Sequence, residues 1–194
     1  ATGEYGDLVE MGVLDPTKIE KDSKIFRFLT PHGKWSLHSN FWDNLWMQRM
    51  FRGGQVVWLN PKDADEVGIE DNEWLEAYSE TGIVVARAAV SQQVSRGTAV
   101  MYHMSERTLN VPFSRLARDR KLSDLRGGNN NAPTRIQMNP SFMPGGYAQF
   151  SYGLNYWGTS PAERDMAIAI RKMPLDPDGK VIFREEQLSE YKDL

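Results

Sequence analysis

In this 194-residue chain, the residues whose types and spacing suit chemistry are three histidines, His32, His38 and His103, and three Gly-Gly pairs beginning at 53, 127 and 145. His32 and His38 share the stretch Thr30-Pro31-His32-Gly33-Lys34-Trp35-Ser36-Leu37-His38-Ser39-Asn40, which concentrates hydrogen-bond donors, a flexible glycine, a cation and an aromatic plane. Such a stretch suits a planar heterocycle carrying a phosphate: imidazoles and hydroxyls bond the ring edges, and Lys34 offers charge. Paired glycines can present backbone N–H groups to phosphates, and Arg52 and Arg126 each precede a pair, although such pairs are also ordinary turn residues. The aromatic-rich stretch from Gly145 to Gly158 has too many glycines for a regular element and reads as a lining against something flat or against another domain. A metal site built from the three histidines is conceivable. However, a six-residue spacing does not put His32 and His38 on one helical face, so hydrogen-bonded loop histidines are the simpler reading and no metal ligand is expected. Asp63, Asp65, Glu66, Glu70, Asp71 and Glu73 follow a helix-start and turn pattern, most simply a solvated rim.

Other chemistries lack their residues. There is no cysteine, which excludes thiolate zinc, cluster ligation by this segment and a cysteine nucleophile. No G-x-S-x-G, P-loop or G-x-G-x-x-G occurs. The formal charge is −3 and the mean hydropathy −0.54, a composition that favours a globular domain and discourages nucleic-acid binding. Within that total the sign alternates: residues 23 to 60 hold 5 positive groups against 1 negative, and residues 61 to 80 hold 1 against 8. The basic stretches are the ones rich in Gly, His and Asn, as an anionic ligand held between them would require. The chain opens Ala-Thr-Gly-Glu, with no feature of a signal peptide, and is expected to be a piece of a longer protein.

The elements that must position these residues are short. Strands are predicted at Ile25 to Leu29, Val56 to Leu59, Trp74 to Tyr78, Ile83 to Val90, Thr98 to Tyr102 and Met166 to Lys172, with a hairpin turn at Glu80-Thr81-Gly82. Phe41 to Phe51 places Phe41, Leu45 and Trp46 at the spacing of an amphipathic helix. Asn60 to Gly68 carries an N-cap Asn, Pro at the first position, acids near the start and Gly at the stop, so it predicts a one- or two-turn helix. A basic helix is expected at Ser114 to Lys121, followed by a Gly/Asn loop from Gly127 to Asn131. Short strands, tight turns and one small helix together predict a small β-barrel with that helix plugging an end.

Five ordered motifs carry a resemblance. They are Thr-Pro-His-x-Lys-Trp-x-x-His-Ser at 30 to 39, Arg-Gly-Gly-x-Val-Val-Trp at 52 to 58, Met-Tyr-His-x-x-Glu-Arg at 101 to 107, Arg-Gly-Gly-x-x-Asn at 126 to 131, and the Gly-Gly-Tyr-Ala-Gln and Tyr-Gly-Leu-Asn-Tyr-Trp-Gly run at 145 to 158. Together they resemble the C-terminal molybdopterin-dinucleotide-binding domain of respiratory nitrate reductase alpha (catalytic) subunits, within the DMSO reductase superfamily. The resemblance implies a mainly β fold with short helices: a six-stranded double-psi β-barrel over residues 24–173, preceded by a connecting segment at 1–23 and followed by an acidic arm at 174–194.

It also implies a cofactor, Mo-bis(molybdopterin guanine dinucleotide), faced by His32, Trp35, Ser36, His38, Ser39, His103, Arg107, Asn130, Asn131 and Asn155. Two departures from the family pattern stand out: Asn130 where a histidine is expected, and a longer stretch around Arg118 to Leu125. No catalytic residue or molybdenum ligand is expected in this segment. Both belong upstream, as does the subunit's own iron-sulfur cluster. The implied activity is nitrate reduction to nitrite by oxygen-atom transfer. Nitrite oxidation and chlorate, perchlorate or selenate reduction are the same-branch alternatives, and a free-standing barrel that binds without redox work is the alternative from another class. Implied partners are the upstream domains, an iron-sulfur beta subunit, a membrane-anchor haem subunit and the oxyanion, with no nucleic acid. The implied location is membrane-associated through those subunits, with the cytoplasmic face as the first reading and a periplasmic or outward face as the alternative.

Overall fold

The computed structural model describes residues 15–35, 37–38, 40–41, 44–50, 52, 54–80, 82–103, 112, 114–119, 130–134, 166–175 and 177–181. The strands are β1 (Lys24–Leu29), β2 (Val56–Leu59), β3 (Trp74–Tyr78), β4 (Ile83–Val90), β5 (Thr98–Met101) and β6 (Met166–Lys172). They close into a barrel in the order β1-β5-β2-β4-β3-β6. Two pairings are parallel, β1 with β5 and β2 with β4; the other four are antiparallel. Each strand finds both its neighbours within the chain, so the barrel leaves no open sheet edge. This is the closed six-stranded architecture that the alternation of short strands and turns predicts.

Period-2 alternation decides which residues fill the barrel. Phe26, Phe28, Val57, Leu59, Leu75, Ala77, Val84, Ala86, Ala88, Ala99, Met101, Ile168 and Ile170 form one buried cluster. Six strands leave a narrow interior, so the two phenylalanines are matched by alanines: Phe28 is in register with Ala99 on β5, and Ala77, Ala86 and Ala88 share the same cluster. The opposite face of β3, β4 and β6 is covered too. Tyr78, Ile83 and Ala169 pack with Leu116 and Ala117 of helix α3 (Arg115–Asp119) and with Ile19.

Register assigns the strand ends to two poles. The C-terminal ends of β1, β3 and β5 and the N-terminal ends of β2, β4 and β6 share one pole, here the open pole; their other ends share the closed pole. Helix α2 (Pro61–Glu66) leaves β2 at the closed pole and buries Ala64 in the barrel cluster, joined by Ile69 just beyond it. Its cap matches expectation: Asn60 Oδ1 accepts from Lys62 N at 3.1 Å, Pro61 opens the helix, and Gly68 stops it at φ +66°.

Two expectations are corrected. The helix predicted across Phe41 to Phe51 spans only α1 (Leu45–Met50), because Asn44 caps it, its Oδ1 accepting from Trp46 N at 2.9 Å, while Phe41 takes a left-handed φ of 71° outside it. None of its residues is buried, and Trp46 is 73% exposed, so its apolar face packs on nothing among the described residues. The second correction concerns Asp63, which is 0% exposed rather than part of a solvated rim. Its Oδ1 takes Lys24 Nζ at 2.6 Å and Arg96 Nε at 3.4 Å, and its Oδ2 takes Gly97 N at 2.7 Å. A carboxylate is tolerated in such a place only when its charge is paired and its lone pairs are satisfied. Burial pushes the Asp63 carboxyl up, but the Lys24, Gly97 and Arg96 bonds outweigh it and hold the group below the ordinary carboxylate value.

Candidate cofactor-binding site

The open pole gathers polar loops. His32 lies just beyond the end of β1, and His103 just beyond the end of β5. Because those strands are parallel neighbours, they emerge side by side. The pairing continues past the barrel: His103 N donates to Pro31 O at 3.0 Å, and His103 Nδ1 lies 3.3 Å from Thr30 O. With Nδ1–H donating to that carbonyl, Nε2 carries the lone pair.

His38 joins them from the same loop as His32. Ring centroids are 4.2 Å apart for His32 and His103, and 5.4 Å apart for His38 with either partner. The His38–His103 pair is stacked, whereas the two His32 pairs meet edge to face. Loop conformation rather than helical spacing brings His38 in, since its backbone takes a left-handed φ of 51°. A non-glycine residue in that region costs on the order of 1–3 kcal/mol and persists where surrounding structure requires it.

Across the barrel mouth from β1 and β5 stand β3 and β4, whose hairpin ends at the same pole. The turn at residues 130–134 docks there. Ser79 Oγ donates to Pro133 O at 2.8 Å, and Gly82 lies so close to Ala132 that an added Cβ would come within 2.4 Å of its carbonyl oxygen. Glycine at 82 is therefore a requirement of close approach. Asn130 is 2% exposed, its Nδ2 donating to Asn131 Oδ1 at 3.0 Å and its carbonyl accepting from Thr134 Oγ1 at 2.8 Å. Asn131 is exposed. Asn130 thus shapes the turn while Asn131 faces outward.

Helix α3, which precedes this turn, is fixed to the barrel by a group that sequence reasoning missed. Glu76 on β3 is 1% exposed, accepts from Ser114 Oγ at 2.6 Å and pairs with Arg171 Nε at 2.8 Å. Ser114 Oγ also accepts from Ala117 N at 3.1 Å, which caps α3. The only local signal was an acid amid the apolar residues of a strand, a pattern that demands a partner without naming it.

Of the residues the sequence singled out, the structure brings His32, His38 and His103 together on one side of the mouth. Trp35, partly exposed, belongs to the same loop, and Lys34 Nζ lies 4.6 Å from its ring centroid. Asn130 and Asn131 stand on the opposite side. Arg52 does not turn to the mouth: its Nη1 donates to Asp71 Oδ1 at 2.8 Å and to Ala88 O at 3.3 Å. Ser36, Ser39, Arg107 and Asn155 lie outside the described residues, as do the Gly127 pair and the Gly145 to Gly158 run. Chemically, the mouth offers imidazole nitrogens on one side and a carboxamide on the other. That donor and acceptor set fits the edges of a polar planar heterocycle.

Residues 26–142 match the family model described as molydopterin dinucleotide binding domain. The chain is similar to the nitrate reductase alpha chain of Bacillus subtilis, at 46% identity over 77% of this chain and 12% of that one. The respiratory nitrate reductase 1 alpha chain of Escherichia coli is 47% identical over 80% of this chain and 12% of its own length. The perchlorate reductase alpha subunit of Dechloromonas aromatica is 29% identical over 87% of this chain and 17% of its own. The chain thus spans about an eighth of the length of the first two relatives.

Proposed function

The chain belongs to the molydopterin dinucleotide binding domain family, and from that premise we propose that it forms the cofactor-clasping part of a nitrate-reductase-type molybdenum oxidoreductase. In this reading residues 24–173 hold a bis(molybdopterin guanine dinucleotide) cofactor at the open pole. When bound, that cofactor supplies two-electron oxygen-atom transfer with an oxyanion. The residues of this chain bind and orient it. His32, His38 and His103 bond the edges of the pterin systems, Asn131 approaches from the docked turn opposite, and Asn130 keeps that turn in shape. Trp35, Ser36, Ser39, Arg107 and Asn155 complete the contact set. The observation that carries the reading is the convergence of the three imidazoles at the pole where the 130–134 turn also docks, in a chain of this family.

The remainder of the active enzyme lies outside these residues in this proposal. Upstream domains carry the metal ligand, the iron-sulfur cluster and the groups that choose among oxyanions. The exposed apolar residues Leu37, Phe41, Leu45 and Trp46, beside the histidine loop, are where those domains rest. The segment 1–23 connects to them, and the acidic arm 174–194 meets a partner subunit. An iron-sulfur beta subunit and a haem-bearing anchor complete the complex and tie it to a membrane; no described helix of this chain is long and apolar enough to cross one. The natural oxyanion in this reading is nitrate, in line with the higher identity to nitrate reductase chains than to the perchlorate reductase subunit.

The decisive experiment is mass spectrometry of the small molecules released on denaturing the full-length subunit. A guanylated pterin is expected, and its absence from an active preparation overturns the reading. In the same subunit His38→Ala should lower cofactor retention or shift the molybdenum potential, because it removes a hydrogen bond in a desolvated site worth about 1–3 kcal/mol. Unchanged metal spectra and turnover would remove His38 from the contact set.

A further inference from the structure

His32, His38 and His103 present one ring nitrogen each such that the three atoms all lie within 4.8 Å of one another. We infer that, when no pterin occupies the open pole, these imidazoles form a binding site for a divalent transition-metal ion. Three features carry this. First, the number and kind of donors match an open three-histidine centre, in which imidazole nitrogens hold the metal at about 2.0–2.1 Å and a fourth position is left for water or an anion. Second, the histidine that the fold holds most firmly is already arranged as a ligand. His103 Nδ1 lies 3.3 Å from Thr30 O, the outer hydrogen bond that fixes the orientation of a ligating imidazole and leaves the lone pair on Nε2, and its backbone N–H is tied to Pro31 O. Third, His32 and His38 are exposed and lie on a loop, so their rings can close the remaining 1–2 Å or so toward a common centre without disturbing the barrel core.

The donor set selects the metal. Imidazoles without a carboxylate favour zinc, cobalt, nickel or copper and give little to magnesium or calcium, which prefer oxygen ligands. The acidic groups near the closed pole offer the reverse, and Asp63 there is already saturated by Lys24, Arg96 and Gly97. The open pole is therefore where a borderline-soft cation should be held.

Titration of the 194-residue chain, whose barrel closes on itself, with cobalt(II) tests the inference, with zinc added afterwards as competitor. The expected result is one equivalent bound, with the intense visible bands of four-coordinate cobalt that zinc abolishes. His32→Ala and His38→Ala should each weaken binding tenfold or more at unchanged far-ultraviolet circular dichroism, while Glu66→Gln, near the other pole, should leave it unchanged. A paramagnetic shift of the histidine ring protons gives the same answer without substitution. Binding that survives His38→Ala and His32→Ala, or a wild-type chain that ignores cobalt below millimolar concentration, overturns the inference. If the 194-residue chain ignores cobalt while the full-length subunit still releases guanylated pterin, this inference falls and the function proposed above stands.

Discussion

The two poles of the barrel use their polar residues in opposite ways. At the closed pole the charges around Asp63 are spent on the fold. Asp63 joins α2 to β1 through Lys24 and to the turn before β5 through Arg96 and Gly97, and Glu66 pairs with the same Lys24 and Arg96. At the open pole several polar side chains, His32, His38 and Asn131 among them, face outward. His32 and His38 are exposed, and among the described residues three of the four non-glycine positions with left-handed backbone, His38, Phe41 and Arg52, lie in the segment between β1 and β2. Strain and exposure are gathered at the pole where the cofactor is proposed to bind, and saturation at the other. A six-stranded barrel permits this division because its core is built by the strands and is plugged by Ala64 and Ile69 at the closed end.

Removing the buried carboxylate should break the comparison most strongly. Asp63→Ala leaves the Gly97 N–H without its acceptor and takes from Lys24 one of its two carboxylate partners, and is expected to cost about 2–3 kcal/mol, read as a lowered urea midpoint. Cofactor retention by the folded fraction should not change. A mutant with wild-type midpoint but lost cofactor would mean that the poles are not separable. Asp63 also sets a pH dependence. Its folded pKa lies below the ordinary value of 3.8, so its stabilisation is fully present above that value and is lost as pH falls through the folded pKa. The acid limb of a stability-versus-pH curve should accordingly flatten in Asp63→Ala.

Gly82→Ala should come next. The new methyl meets the Ala132 backbone, so the 130–134 turn must shift, at an expected cost of about 1–2 kcal/mol. Hydrogen exchange should rise at residues 130–134 and stay unchanged at α2; equal acceleration at both places would show that the turn is not a separate unit. His38→Gly should sharpen the contrast in the other direction. Relief of the left-handed backbone offsets the glycine's chain entropy, so stability should change by less than about 1 kcal/mol while cofactor retention falls. The smallest effect is expected from Asp65→Asn, an exposed position on α2 that should alter neither midpoint nor turnover.

Elements whose cause is local were legible in the chain. The six strands follow from alternation, and α2 from Asn60, Pro61 and Gly68, each acting within a few residues of itself. Helix α1 was legible only in part. The apolar spacing from Phe41 to Trp46 is real, but that face packs on nothing among the described residues, and the cap at Asn44 decided the start instead. Asp63 and Glu76 were unreadable as buried groups because their partners lie far away: Lys24 and Arg96 for the first, Ser114 and Arg171 for the second. The ordered motifs carried the family, while the position of each motif residue at the mouth was not written in any of them.

The sequence by itself determined where strands begin and end, how α2 is capped, which faces of the strands are apolar, and to which family the ordered motifs belong. All of these rest on interactions spanning a few residues. Tertiary structure alone decided that His103 meets His32 and His38, that residues 130–134 dock on Gly82, and that one acid in the α2 rim is buried while its neighbours are wet. The reason is the parallel crossover of β1 with β5 and the closure of the ring. These place side chains about seventy positions apart within hydrogen-bond reach, at an entropic cost that only the completed hydrophobic core repays.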